Sequence, residues 1–255
     1  MILLKTKEEI ALIRDAALLL GKTLAEVGCH IHPGVTTAFL DKIGEQYIRD
    51  HGAIPLCKGY EGFPSALCIS VNDVVVHGIP GEVFIKEGDN VSVDCVISLN
   101  GYVADSAYTF GVGEVSPEVS RLMKVTKEAL YIGLDKCKAG NRVGDISHAI
   151  QLHCEKNGYS VVRELCGHGV GLKMHESPNV PNYGTPGTGP LLKEGMVIAV
   201  EPMVCMGSKN VKFSKADGWT CSTKDGKPAA HFEHTVAITA DGPDILTTFD
   251  FIENK

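Results

Sequence analysis

Asn90 to Phe110 reads NVSVDCVISLNGYVADSAYTF, two runs rich in β-branched and aromatic residues joined at Asn100-Gly101. That dipeptide suits a two-residue type I′ hairpin turn, whose central residues both need positive φ. If Leu99 faces Tyr102, facing residues sum to 201, so Val96 faces Asp105. Asp94 lies two residues before Val96 and shares its face, which makes the carboxylates diagonal neighbours with Cβ atoms roughly 7 Å apart or a little less. The other face carries Val91, Val93, Cys95, Ile97, Leu99, Tyr102, Ala104, Tyr108 and Phe110, enough apolar surface to pack against helices. An isolated aspartate pair is more often a solvated face. Val96, Val103 and Ala107 share this one, however, and like charges held close in a partly apolar setting repel unless a proton or cation lies between them. A divalent metal is the sharper expectation, and it needs more ligands.

Outward from the hairpin, the chain predicts four long helices. Thr6-Lys7-Glu8-Glu9 is a capping-box pattern, followed by Ile10, Ile13, Ala17, Leu20, Leu24 and Val27 at helical spacing up to Gly28. A second helix follows Thr36, with Phe39, Leu40, Ile43, Tyr47 and Ile48 inward and a stop at Gly52. Ser116-Pro117 opens a third that runs to about Lys138, and a fourth spans about Val143 to Gly158. Comparing these helices exposes a repeat. Gly34 to Gly52 and Gly140 to Gly158 are equal steps, and Gly88 precedes Asp94 by the same six residues that separate Gly195 from Glu201. Each half also holds a His-Gly pair, His77-Gly78 and His168-Gly169, and ends in an acid-bearing strand, with Asp105 and then Glu233. The chain therefore reads as a duplicated unit of two helices followed by strands, with halves of about 1–113 and 114–255 forming one domain. Bringing the two sheets together aims Asp94 and Asp105 at Glu201 and Glu233.

With 255 residues, 44% of them hydrophobic, the chain can bury a full core. A net charge of −7 without a Lys/Arg run argues against a nucleic-acid partner. Nine scattered cysteines with no C-x-x-C pair suggest neither a disulfide framework nor a zinc ribbon, so a reduced, cytoplasmic setting is expected. Arg14 and Asp15 interrupt the first helix too soon for a signal segment or membrane span.

Met196 to Val200 is an apolar strand ending in Glu201-Pro202, where proline is expected to stop pairing. His231 to Ile238 reads as one further strand, with Phe232, His234, Val236 and Ile238 opposite Glu233. Cys166 to Gly171 flanks His168 with glycines, as where backbone must come close to something. Four carboxylates and one imidazole form an oxygen-rich set suited to two divalent ions about 3.5–4 Å apart.

Asn72 to Pro80 (NDVVVHGIP), Cys166 to Gly171 (CGHGVG), His175-Glu176, Glu201-Pro202-Met203 and Glu233-His234-Thr235 together resemble the type I, bacterial-type methionine aminopeptidases of the M24 metallopeptidases. The likeness runs from the first helix to about Thr239. It implies the α+β pita-bread fold, two pseudo-symmetric halves with helices outside a curved, mostly antiparallel sheet. It implies removal of the initiator methionine from new chains when the second residue is small, by attack of a metal-bridged water or hydroxide on the scissile carbonyl. Asp94, Asp105, His168, Glu201 and Glu233 match the metal ligands, holding two divalent ions per chain (Co²⁺, Mn²⁺, Fe²⁺, Zn²⁺ or Ni²⁺), with Asp105 and Glu233 bridging. Glu201 matches the proton shuttle, His77 the residue bonded to the scissile amide, and His175 the contact to the substrate carbonyl. Cys57, Tyr60, Phe63, Cys68 and Trp219 fall where similar enzymes line the methionine pocket, and Met174 stands where many relatives carry an aromatic. A monomer is expected, with the N-terminal methionine of nascent polypeptides as substrate, no membrane, and any transient ribosome contact made by the domain's own surface. Ile2 is bulky and β-branched, so such an enzyme is expected to leave Met1 in place. The nearest rival on the same fold is an Xaa-Pro aminopeptidase or dipeptidase; those usually carry an extra N-terminal domain. A non-catalytic binding module of this fold is expected to have lost ligands.

Overall fold

The structure is a computed structural model that describes residues 2–254, so the expectation for Met1 lies outside the described residues. Its centre is the hairpin of strands Asn90–Leu99 and Tyr102–Gly111. Their register pairs Leu99 with Tyr102, Val96 with Asp105 and Asp94 with Ala107, and Asn100 and Gly101 adopt φ of 53° and 83°. All strand pairings among the described residues are antiparallel.

Helix α1 (Lys7–Cys29) starts in the capping box, with the Glu9 N–H bonded to Thr6 Oγ1 and the Thr6 N–H to Glu9 Oε2. Its apolar stripe, Ile13, Ala17, Leu20, Leu24 and Val27, is fully buried, part of one core with Val91, Val93, Cys95 and Ile97 of the hairpin. Burying one such Leu or Val contributes about 1.5–3 kcal/mol relative to leaving it exposed. Helix α2 (Thr37–Asp50) buries Leu40 and Ile48, but Phe39 is 42% exposed, a correction to the inward set. The buried stripe of α2 is Thr37, Leu40, Gly44 and Ile48, and Phe39 points off it toward the His30 ring at 6.2 Å. Helix α3 (Pro117–Leu134) ends four residues before the expected Lys138, because Lys136 and Cys137 tighten into bonds to Gly133 and Leu134. Helix α4 is Val143–Lys156, and a one-turn helix α5, Asp250–Glu253, closes the described chain.

The spacing repeat has a backbone counterpart. Gly34 and Gly140 share φ of 92° and 93°, Gly52 and Gly158 of 75° and 85°, and Gly88 and Gly195 of 84° and 85°. The Gly34 N–H bonds to Ile85 as the Gly140 N–H bonds to Leu192, and single β-bridges join Thr36 to Phe84 and Arg142 to Leu191. This is the pita-bread architecture, with a second apolar core between α3, α4 and the strand Val197–Val200.

Two strands differ from expectation, and the difference builds the site. Pairing stops at Glu201-Pro202 as expected, but it resumes at once: Val197–Val200 pairs with His234–Thr239, and the chain pairs again at Met203–Cys205 with Ala229–His231 in another sheet. His231 to Ile238 is accordingly two strands. Both partners leave one sheet and enter the next at the same level, and Glu201 and Glu233 sit in that gap. The break is sewn to the hairpin. Glu233 N–H donates to Ala107 O, Ser106 Oγ to Glu233 O, and Thr235 Oγ1 accepts the Asp105 N–H and donates to its carbonyl. No described helix is long and apolar enough to cross a membrane, and no disulfide joins the described cysteines.

Candidate metal centre and its cavity

Every site residue singled out from the sequence lines one cavity of about 540 Å³. At its inner end, ligand atoms of Asp105, His168 and Glu233 all lie within 4.8 Å of one another. His168 Nε2 is 3.6 Å from both Asp105 Oδ2 and Glu201 Oε1. Asp94 lines the same end from the hairpin face. Gly167 and Gly169 are what admit His168 between its neighbours: a Cβ on either would come within 2.4 Å of a carbonyl oxygen, of Ala199 and Ser177 respectively.

The donors fit divalent cations. Asp94 Oδ1, Asp105 Oδ1 and Glu233 Oε1 are buried without a hydrogen-bond partner, an arrangement that is costly unless something positive completes it. Burial pushes the Asp94 carboxyl up to about 7. Burial, followed by the neighbouring carboxylates, holds Asp105, Glu201 and Glu233 well above the usual range. Burial brings His168 down to about 4, so its ring is neutral. Its Nδ1–H faces Gly169 O at 3.0 Å, which leaves the Nε2 lone pair for the cavity. Carboxylate oxygens with one imidazole suit first-row divalent ions.

A pH dependence follows for the protein stripped of metal. Carboxyls raised by folding contribute stability at low pH that is lost as pH rises through their folded pKa; buried histidines work oppositely between about 4 and 6.5. Above 6.5 the unfolded histidines shed only the rest of their protons, while Asp105, Glu201 and Glu233, held well above the usual range, go on losing stability with Asp94 and outweigh them. The melting temperature of the stripped protein is therefore expected to fall from pH 6.5 to 8, and added Co²⁺ to raise it more at pH 8 than at 6.5. Scanning calorimetry at both pH values checks this.

Toward the mouth, His77 holds a left-handed φ of 57°, its ring 5.9 Å from Trp219, which packs edge-on to Phe63 at 5.3 Å. Burial, then the nearby His175, lowers His77 to about 4. His175 lies edge-on to His168 at 4.3 Å and places Nδ1 2.9 Å from Tyr60 Oη. Cys57, Cys68, Phe63 and Met174 are each less than a tenth exposed, and the Cys57 hydrogen bond, followed by burial, raises the Cys68 thiol.

Sequence reasoning missed several residues here. Asn182 Nδ2 donates to the Glu201 carbonyl, and Thr235 clamps the Asp105 backbone. Lys5 forms a buried ion pair with Glu176, whose other oxygen accepts the Leu172 and Lys173 N–H groups beside Met174 and His175. His231 is 1% exposed with its ring against Glu201 and Glu233. It stands two residues before Glu233, a spacing that in extended chain shares a face and was legible.

A fold and a carboxylate-rich centre of this kind define a metallopeptidase, and the model of metallopeptidase family M24 matches residues 11–240. A methionine aminopeptidase of Clostridium perfringens is 53% identical over 97% of this chain and 99% of its own. The crystal structure of methionine aminopeptidase from Rickettsia prowazekii superposes with a TM-score of 0.96 at 42% identity, covering 97% of this chain and 100% of that one. The chain belongs to the methionine aminopeptidases of metallopeptidase family M24. A prolidase from Pyrococcus furiosus shares the fold at 24% identity and TM-score 0.79, but 96% of this chain covers only 65% of it.

Proposed function

We propose that this protein is a metal-dependent hydrolase of the cytoplasm that removes the N-terminal methionine of new polypeptides whose second residue is small, acting as one catalytic domain. The observation that carries the reading is the joining of two environments in one cavity. Four carboxyls and His168 close its inner end, while thiols, a thioether and aromatic rings line the approach. A methionine side chain offers only shape and polarizability, and Cys57, Cys68, Phe63, Met174 and Trp219 meet it on those terms.

Asp94, Asp105, His168, Glu201 and Glu233 would hold two divalent ions. When bound, these ions supply Lewis acidity at the scissile carbonyl and lower the pKa of water at the centre. Glu201 takes a proton from the attacking water and returns it to the leaving nitrogen. His77, neutral and fixed by its backbone conformation, donates a hydrogen bond at the scissile amide. Tyr60 O–H donates to His175 Nδ1, which leaves the Nε2–H of His175 for the substrate carbonyl as negative charge develops. Any transient contact with the ribosome would be made by this domain's own surface.

His77→Ala is expected to lower kcat by about 10–100-fold, below the usual span for a full acid–base group, with bound metal unchanged by elemental analysis. Loss of metal would put His77 among the ligands. The substrate assignment is tested by release of the first residue from Met-Ala-Ser against Xaa-Pro peptides. Preferred cleavage of the former is expected, and preferred cleavage of the latter would overturn it.

A further inference from the structure

His231 has no part in the chemistry above, yet its ring is buried against two of the carboxylates that carry it. The residue is 1% exposed, and neither ring nitrogen has a hydrogen-bond partner. Its backbone cannot drift: the N–H bonds to Thr109 Oγ1 at 3.0 Å, the carbonyl accepts from the same hydroxyl at 2.6 Å, and the residue pairs across the sheet with Met203. Its Nε2 lies 3.7 Å from Glu201 Oε2 and 4.0 Å from Glu233 Oε2, roughly half an ångström to an ångström beyond hydrogen-bond length. A fully buried imidazole with two idle nitrogens opposes folding unless a partner comes to it. The partners within reach are the two carboxylates at the paired strand break. Each has one oxygen on the cation side, and an ionised carboxylate makes a strong, short bond with the N–H that meets its other oxygen.

We infer that His231 is a positioning residue of the metal centre, whose Nε2–H donates to the outer oxygen of Glu201, with Glu233 alongside, and locks these carboxylates in the orientation that ligates cations. The inference rests on the metal-binding reading proposed above and deepens it. Residues that orient ligands in this way change metal affinity by about 10–100-fold when removed. Glutamine keeps an N–H donor of similar reach, whereas leucine fills the space and donates nothing.

The test is Co²⁺ titration calorimetry of metal-stripped wild type, His231→Leu and His231→Gln, with turnover measured in parallel. Affinity is expected to fall at least about tenfold in His231→Leu and to stay within about threefold of wild type in His231→Gln. Unchanged affinity in His231→Leu overturns the inference alone, because the wild-type titration still reports the metal site. Equal losses in both variants also overturn it, since a direct ligand or a packing role would behave that way. A wild type that binds no Co²⁺ overturns both this inference and the reading beneath it. Should His231→Leu not fold, ring ¹⁵N spectra of wild type loaded with Zn²⁺ decide. A protonated, slowly exchanging Nε2 is the expected signature, and an unprotonated Nε2 contradicts the assignment.

Discussion

Glu201→Gln is expected to keep the fold and lose turnover by at least about 10³-fold, since one substitution removes a ligand and a proton carrier together. The side chains are near-isosteric and the Asn182 bond goes to the Glu201 backbone carbonyl, so the strand break at Glu201-Pro202 keeps its support. The change also removes one of four mutually repelling buried carboxyls, and the metal-free variant is expected to melt no lower than wild type. Circular dichroism melting and release of methionine from Met-Ala-Ser, measured on one preparation, check both halves. Turnover within tenfold of wild type would remove Glu201 from the mechanism.

Lys5→Met is expected to destabilise the protein by about 3–5 kcal/mol, because it leaves the Glu176 carboxylate buried and unpaired. The two side chains are 2% and 3% exposed. Lys5 also ties its own N–H to Gly195 O at 2.7 Å, so the start of the chain is bolted to the second half of the molecule. Glu176 caps the Leu172 and Lys173 N–H groups, and losing its counter-charge loosens the loop that presents Met174 and His175 to the cavity. Adding Glu176→Gln to Lys5→Met removes the stranded charge but keeps an acceptor for the loop, so the double variant is expected to recover more than half of the loss. Denaturant unfolding of the three proteins measures this. A double variant no more stable than Lys5→Met would mean that the lysine acts through packing alone.

What the sequence made legible was local or periodic. The Asn100-Gly101 turn sets a register that carries through every hairpin pair, and with it the shared face of Asp94 and Asp105. Recurring glycines reported the duplication because a left-handed backbone selects glycine wherever it recurs. What stayed hidden depends on partners far away in the chain. Lys5 meets Glu176 across 171 residues, and nothing near Lys5 signals a buried ion pair. Pro202 marked the break after Val200 but not the re-entry at Met203, and the break after His231 is invisible because the residues on either side are of strand type; only tertiary pairing decides which sheet they join. Phe39 is the reverse case, an apolar side chain at near-helical spacing that the fold leaves at the surface.

The central claim is spatial: acids and an imidazole from both halves of the chain grip common cations. Anomalous diffraction from a crystal soaked in Co²⁺ tests it most directly. The account predicts two cobalt peaks at the inner end of the cavity, between Asp105 and Glu233 and within ligating distance of Asp94, His168 and Glu201. Cobalt bound only elsewhere, with those side chains contacting no metal, would contradict it.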